Sequence, residues 1–159
     1  MKKAIYLLRD IKLDIVGYVG QSVDPHARLQ QHVEDGKGYL QTSGGKWSAP
    51  VTTNRAGWIA YLLSKGREPA MEVIEVASDP NARERYWIAE MLRKGEPLTN
   101  DVSGQFLETY GVKGYNPYHD CPYDIDLNAE ARRPTAVYTF DLAQLAQSPA
   151  LTEQGETDD

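Results

Sequence analysis

The chain has 159 residues, 41% hydrophobic and 25% charged, which suits one soluble domain with a sizeable core and room for an appendage. No apolar run approaches the roughly 20 residues that span a bilayer, and Met1-Lys2-Lys3 leads into a strand-like segment, so neither a membrane span nor a secretory leader is expected. One cysteine, Cys121, excludes an internal disulfide framework and fits a reducing compartment, for which the cytoplasm is the expectation. The net charge of −6 is unevenly placed, with a balance of +2 over residues 1–100 and −8 over residues 101–159. A balance of +2 is a weak footprint for nucleic acid, whose affinity comes largely from Lys and Arg on phosphates, so tight binding by this chain alone is not implied.

In chain order, residues 3–9 (KAIYLLR) and 15–20 (IVGYVG) are β-branched, aromatic and aliphatic, and flank a polar linker, Asp10–Asp14. This is the pattern of a hairpin with a loop of about five residues. A turn centred on Lys12 sets Tyr6 opposite Tyr18 with both rings on one face, whereas a one-residue slip sends them to opposite faces. Asp24 is a good N-cap with Pro25 at the first helical position, predicting a helix to about Asp35 that stops at Gly36. Arg28 and His32, four apart, share one face of it.

Residues 36–53 are rich in Gly, Ser and Thr and predict a loop, which carries Lys37, Lys46 and Trp47. A second helix is predicted over 54–65 with Gly66 as stop, a third strand over 70–77, and a third helix from Pro80 to about Lys94, capped by Asp79 and ended by Gly95. After Asn100 the pattern weakens; Tyr115-Asn116-Pro117-Tyr118 predicts a turn, 136–140 a short extra strand and 141–147 a helical turn. The acidic end is expected to be disordered. Three parts result: a domain over 1–100, an irregular extension over 101–147 packed on or beside it, and a tail over 148–159.

Glu84 shares a helical face with Trp87, Ile88 and Met91. A carboxylate on that stripe is partly desolvated and calls for a partner or a metal, though a first-turn glutamate can also reach solvent and favour the helix dipole. Several of these residues have equally plain structural readings. Tyr6 and Tyr18 can be core aromatics, Gly20 a strand end, Arg28 a solvated helix residue, His32 a cover for the helix surface, and Asn100 a turn cap. Three adjacent residues, His119, Asp120 and Cys121, make neither a metal spacing nor a triad, and His26 is expected to be exposed.

Taken in order, Ala4-Ile5-Tyr6, Tyr18-Val19-Gly20, Arg28, Glu84-Arg85-Tyr86-Trp87-Ile88 and Asn100 resemble the GIY-YIG nuclease family over residues 4–100. Ala4 for the first glycine and Val19 for the isoleucine depart from its pattern. The resemblance implies a compact α/β (α+β) domain, a small three-stranded antiparallel-containing sheet flanked by helices. It further implies a metal-dependent endonuclease that hydrolyses DNA phosphodiesters. In that reading Glu84 binds Mg²⁺ (or Mn²⁺), and Tyr6, with Tyr18, helps deprotonate the attacking water. A phenol of ordinary pKa near 10 does so only beside a cation. Arg28 holds the scissile phosphate, Gly20 lets substrate approach, His32 and Asn100 orient groups nearby, and Lys37 and Lys46 help hold the DNA backbone.

The expected partner is double-stranded or branched DNA, with specificity from a homodimer or a separate targeting protein, since nothing after residue 100 looks like a DNA-binding motif. Two other readings remain open. One is a non-catalytic nucleic-acid- or protein-binding module on the same scaffold. The other is an accessory subunit of a phage or mobile-element system, docking through residues 101–159.

Overall fold

The computed structural model describes residues 1–47, 51–115, 121–123 and 125. The expectations for Asn116–Tyr118, His119, Asp120, 136–140, 141–147 and the tail lie outside them. Ile5–Leu8 and Asp10 are buried, the mark of a strand covered on both faces. This strand, β1 (Lys3–Asp10), lies between β2 (Ile15–Ser22) and β3 (Ala70–Ala77), antiparallel to both.

The hairpin corrects the predicted pairing. Tyr6 faces Gly20, and Tyr18 faces Leu8, rather than each other. Near the turn, where Asp14 takes φ 54°, Asp10 faces Ile15 and Arg9 faces Val16. The register then shifts between Leu8 and Arg9, leaving Gly17 as the extra residue of a bulge. Continued without that shift, the turn register would put Tyr6 opposite Val19 and send the two tyrosines to opposite faces. Gly17 also has to be glycine, since a Cβ there would sit 2.4 Å from the Trp58 ring.

The first helix is longer than predicted. α1 spans Pro25–Ser43 and ends where Gly44 turns left-handed, φ 65°, so much of the expected loop is helical. Gly36 is a packing glycine: a Cβ would lie 2.4 Å from Ile59 Cγ2 on the next helix. A helical glycine costs about 1 kcal/mol against alanine, offset here by close helix contact. A 3₁₀ turn, Val51–Thr53, then leads to α2 (Arg55–Ser64), whose N-cap Asn54 accepts from the Gly57 N–H at 2.9 Å. α3 spans Pro80–Arg93 from the Asp79 cap. A further helix, α4 (Gly104–Thr109), falls where an irregular chain was expected; six residues opening on glycine are too short for a periodic signal.

Each face of the sheet has its own core. Tyr6 and Leu8 pack with Trp58, Ile59, Leu62 and Leu63 of α2 and with Val33 and Leu40 of α1. Ile5, Leu7, Val16 and Val19 pack with Ile88, Ala89, Met91 and Leu92 of α3. Residues 96–100 cover the outer edge of β2: Glu96 Oε1 accepts from Val16 N–H at 3.1 Å, and Thr99 gives its N–H and hydroxyl to the Gly17 carbonyl at 2.7 and 2.8 Å. Among the described residues no helix is long and apolar enough to cross a membrane.

Candidate active site

The bulge puts Tyr6 and Tyr18 on the face that α1 and α2 cover, with ring centroids 6.3 Å apart. Gly20, opposite Tyr6, clears the space for its phenol: a Cβ would lie 2.4 Å from Tyr6 Oη and 2.8 Å from the Tyr18 ring. The glycine therefore makes room for the tyrosine, a different task from the predicted opening to substrate. From α1, His32 reaches Tyr6 Oη through Nε2 at 2.7 Å and packs edge-on to Tyr18 at 5.2 Å. His32 is fully buried, so it is far more than a cover for the helix surface.

The first residue of α2 completes the cluster. Arg55 donates from Nη1 to His32 Nδ1 at 2.6 Å and from Nη2 to Asp35 Oδ2 at 3.2 Å, and its guanidinium stands 5.7 Å from the Tyr18 ring centre. An arginine has only donors, so His32 Nδ1 must accept and Nε2 carries the proton that it gives to Tyr6 Oη. The phenol's own hydrogen is left to point elsewhere. Arg28, one turn before His32, is held on the helix by Gln31 Oε1 at 2.5 Å, and its guanidinium favours the ionised form of Tyr6.

Burial and the two guanidiniums drive His32 down to about 4, so it is neutral near pH 7. Burial pushes the Tyr6 phenol up to about 12, helped by Tyr18 and opposed by Arg28 and Arg55. Desolvation wins over two arginines. At pH 7 the cluster therefore holds Tyr6 as a phenol.

Glu84 belongs to the other face. It sits half-buried in the first turns of α3, and its neighbours are Gln21, Arg85 and Lys3 rather than the tyrosines. Burial raises its carboxyl, opposed by a hydrogen bond from Gln21 and by the two cations. Gln21 follows Gly20 at the end of β2, so the two halves meet across one stretch of strand. Its amide gives Nε2–H to Asn81 Oδ1 at 2.9 Å, while Oε1 is buried without a hydrogen-bond partner. A carboxylate and an orphaned amide oxygen are the hard-oxygen donors that Mg²⁺ takes, so the chemistry of the two groups fits the ion. No set of three or more His, Cys, Asp or Glu is placed to hold a metal among the described residues, so further ligands would be waters and phosphate oxygens.

Asn100 anchors from outside: Oδ1 accepts from Val19 N–H at 2.9 Å and Nδ2 donates to the Val19 carbonyl at 2.8 Å, fixing the strand between Tyr18 and Gly20. Lys37 pairs with Glu34 at 3.5 Å on the exposed side of α1, and Lys46 is exposed beyond its end. Trp47 packs on Tyr61 at 5.8 Å. His26 is exposed, and Cys121 packs beside the α1/α2 core.

Arg55 and Asp35 escaped the sequence reading. The available signal was an arginine directly after an N-cap asparagine, a cation where the helix dipole disfavours one, which points to a tertiary partner. The chain matches no protein-family model, no curated protein and no solved structure, so the GIY-YIG resemblance stands on these residues alone.

Proposed function

We propose that the chain is a metal-dependent endonuclease that hydrolyses a DNA phosphodiester, in the cytoplasm, with Tyr6 and Arg28 acting from the tyrosine cluster and Glu84 as the metal-binding residue. The observation that carries this reading is the charge of the tyrosine cluster. Arg55 pairs with Asp35 and Arg28 with the neutral Gln31, beside a neutral His32, so a positive charge is left beside a phenol whose proton is free to point outward. A phosphate is the anion that fits a guanidinium set in this way.

Arg28 holds the phosphate and offsets charge in the transition state. His32, locked in one tautomer by Arg55, fixes Tyr6 Oη. Tyr6 then orients the attacking water as a hydrogen-bonded phenol, rather than as a standing phenolate. Asn100 and Gly20 hold the strand and the space that set the tyrosines. Glu84 with Gln21 Oε1 would hold a Mg²⁺ or Mn²⁺, which supplies Lewis-acid polarisation of the phosphate and stabilises the leaving oxygen.

Cleavage of linear, supercoiled and branched DNA with and without Mg²⁺ tests the proposal. Wild type cuts only with the cation, and Glu84→Ala binds DNA but loses cleavage by several orders of magnitude. Full cleavage by Glu84→Ala with Mg²⁺ present rules the assignment out. A binding module without cleavage is the second reading, favoured by the placement of Glu84 on the opposite face from Tyr6; it expects DNA retention with no cut product under any cation.

A further inference from the structure

The two edges of the sheet are finished differently. Residues 96–100 cover the outer edge of β2, whereas among the described residues the backbone of β3 pairs with β1 alone. An open strand edge offers a row of unpaired N–H and C=O groups to another strand. This one is also apolar: Val73 is 48% exposed and Val76 63%. Both lie on the face of Tyr6, since Val73 is level with Tyr6 and Val76 with Ala4.

The order of faces along β3 decides which strand fits. Glu72 is level with Leu7, Glu75 with Ile5 and Ala77 with Lys3, which puts all three on the α3 face. Ile74 is the extra residue of a bulge between the Ile5 and Tyr6 pairings, and it too packs toward α3. From Glu72 to Ala77 the faces therefore run α3, Tyr6, α3 twice at the bulge, Tyr6, α3. That order reads the same in both directions. An antiparallel copy of β3 matches it position for position, with each Val73 opposite the partner's Val76, each Glu72 opposite the partner's Ala77, and the two bulges meeting on a two-fold axis. A regularly alternating strand falls out of step at the bulge.

The charges agree with this pairing. Near Ala70 one guanidinium, Arg9, serves two carboxylates, Glu72 at 2.8 Å and Asp14 at 3.5 Å, which leaves that end negative. The other end carries Lys3, level with Ala77, and the exposed Lys2 before it. Antiparallel pairing sets each negative end beside the partner's positive one. Charged side chains can also guard a strand edge, but those of β3 lie back over their own sheet. Glu72 is held by Arg9, and Glu75, the carboxylate nearest the axis, by Arg83 at 2.7 and 2.8 Å and Trp87 at 3.0 Å.

We infer that β3 is a dimer interface, at which two copies of this chain join their sheets edge to edge, antiparallel, about a two-fold axis at Ile74–Glu75. With the β2 edge covered, the pairing uses up the open edge and closes at two copies. It places both Tyr6 clusters on one side of a continuous sheet, and it stands independently of the nuclease reading.

Sedimentation of the full chain from about 1 µM to about 1 mM tests this, with Tm and amide exchange followed over the same range. A monomer–dimer equilibrium is expected, with Tm and the protection of β3 amides rising with concentration. Val76→Lys changes a side chain exposed in the monomer, so dilute variant and dilute wild type should share one Tm. Its dimer should be weaker by about tenfold or more, since each seam holds two Val73–Val76 contacts. Lys3→Glu should also weaken the dimer, and adding Glu72→Lys should restore it. A monomer at every concentration, as when β3 is covered within its own chain, overturns the inference, and so do assemblies larger than the dimer. An undiminished dimer in Val76→Lys, or a charge swap that restores nothing, overturns it equally.

Discussion

Two buried polar networks, each centred on a tyrosine, lie on the same face of the sheet. At the hairpin end, Tyr123 Oη donates to Asp10 Oδ2 at 2.7 Å and receives Trp58 Nε1–H at 2.9 Å, and Arg67 closes on the other oxygen of Asp10. At the open end, Tyr6 receives His32, His32 receives Arg55, and the Arg28 charge acts on the phenol. In the first, one carboxylate meets one guanidinium and the charge cancels. In the second, Arg55 meets the carboxylate of Asp35 while Arg28 meets only the neutral Gln31, and a positive charge remains. Both phenols are raised by burial, so burial alone does not mark a site. In the proposed reading, the uncancelled charge does. A balanced network ties Tyr123 and the α2 start to the hairpin; the unbalanced one is the proposed anion site.

The largest expected effect breaks the balanced member. Asp10→Ala leaves Arg67, which is 8% exposed, without its counter-charge and should cost about 3–5 kcal/mol by chemical denaturation. A loss below 1 kcal/mol would mean that the pair is not buried in solution.

Acid should then strain the unbalanced member. His32 titrates near 6.5 unfolded and about 4 folded, so between those values the unfolded chain binds the extra proton. Stability rises with pH across that window and is lost as pH falls through it, by roughly 3 kcal/mol at most. The comparison of wild type with His32→Gln isolates this slope; equal slopes would contradict a neutral buried imidazole.

Gly20→Ala comes next. Its Cβ would meet Tyr6 Oη at 2.4 Å, so the phenol must leave His32, at an overpacking cost of about 1–3 kcal/mol. An unchanged Tm with an unchanged His32 titration would sink that account. Smallest in stability is Tyr6→Phe, about 1 kcal/mol for one hydrogen bond.

The same contrast shows what the sequence could tell. β3, α2 and α3 were legible because strong caps and glycine stops bound short periodic runs, as at Asn54 and Gly66 or Asp79 and Gly95. The hairpin register was two residues out, because a bulge at Gly17 is a packing response to Trp58, 41 positions away. Gly36 read as a stop for the same reason: the Ile59 it admits is on another helix. Tyr6, Tyr18, Arg28 and Glu84 were picked out through the family pattern. That Glu84 lies on the other face, reaching β2 through Gln21, depends on which helix covers which face. Asp10 read as linker, since its partners Arg67 and Tyr123 are distant in the chain.

One paired substitution tests the central claim, that the charged network is the site and the cancelled one is scaffold. Tyr6→Phe and Tyr123→Phe each delete one buried hydroxyl on the same sheet face, and both are compared with wild type for Tm and for Mg²⁺-dependent cleavage of DNA. Tyr6→Phe should lose about 10²-fold or more in rate with little change in Tm. Tyr123→Phe should keep the rate and lose stability, since Asp10 and Trp58 both lose a partner. Equal rates in both variants, or loss of rate in Tyr123→Phe alone, would contradict the account.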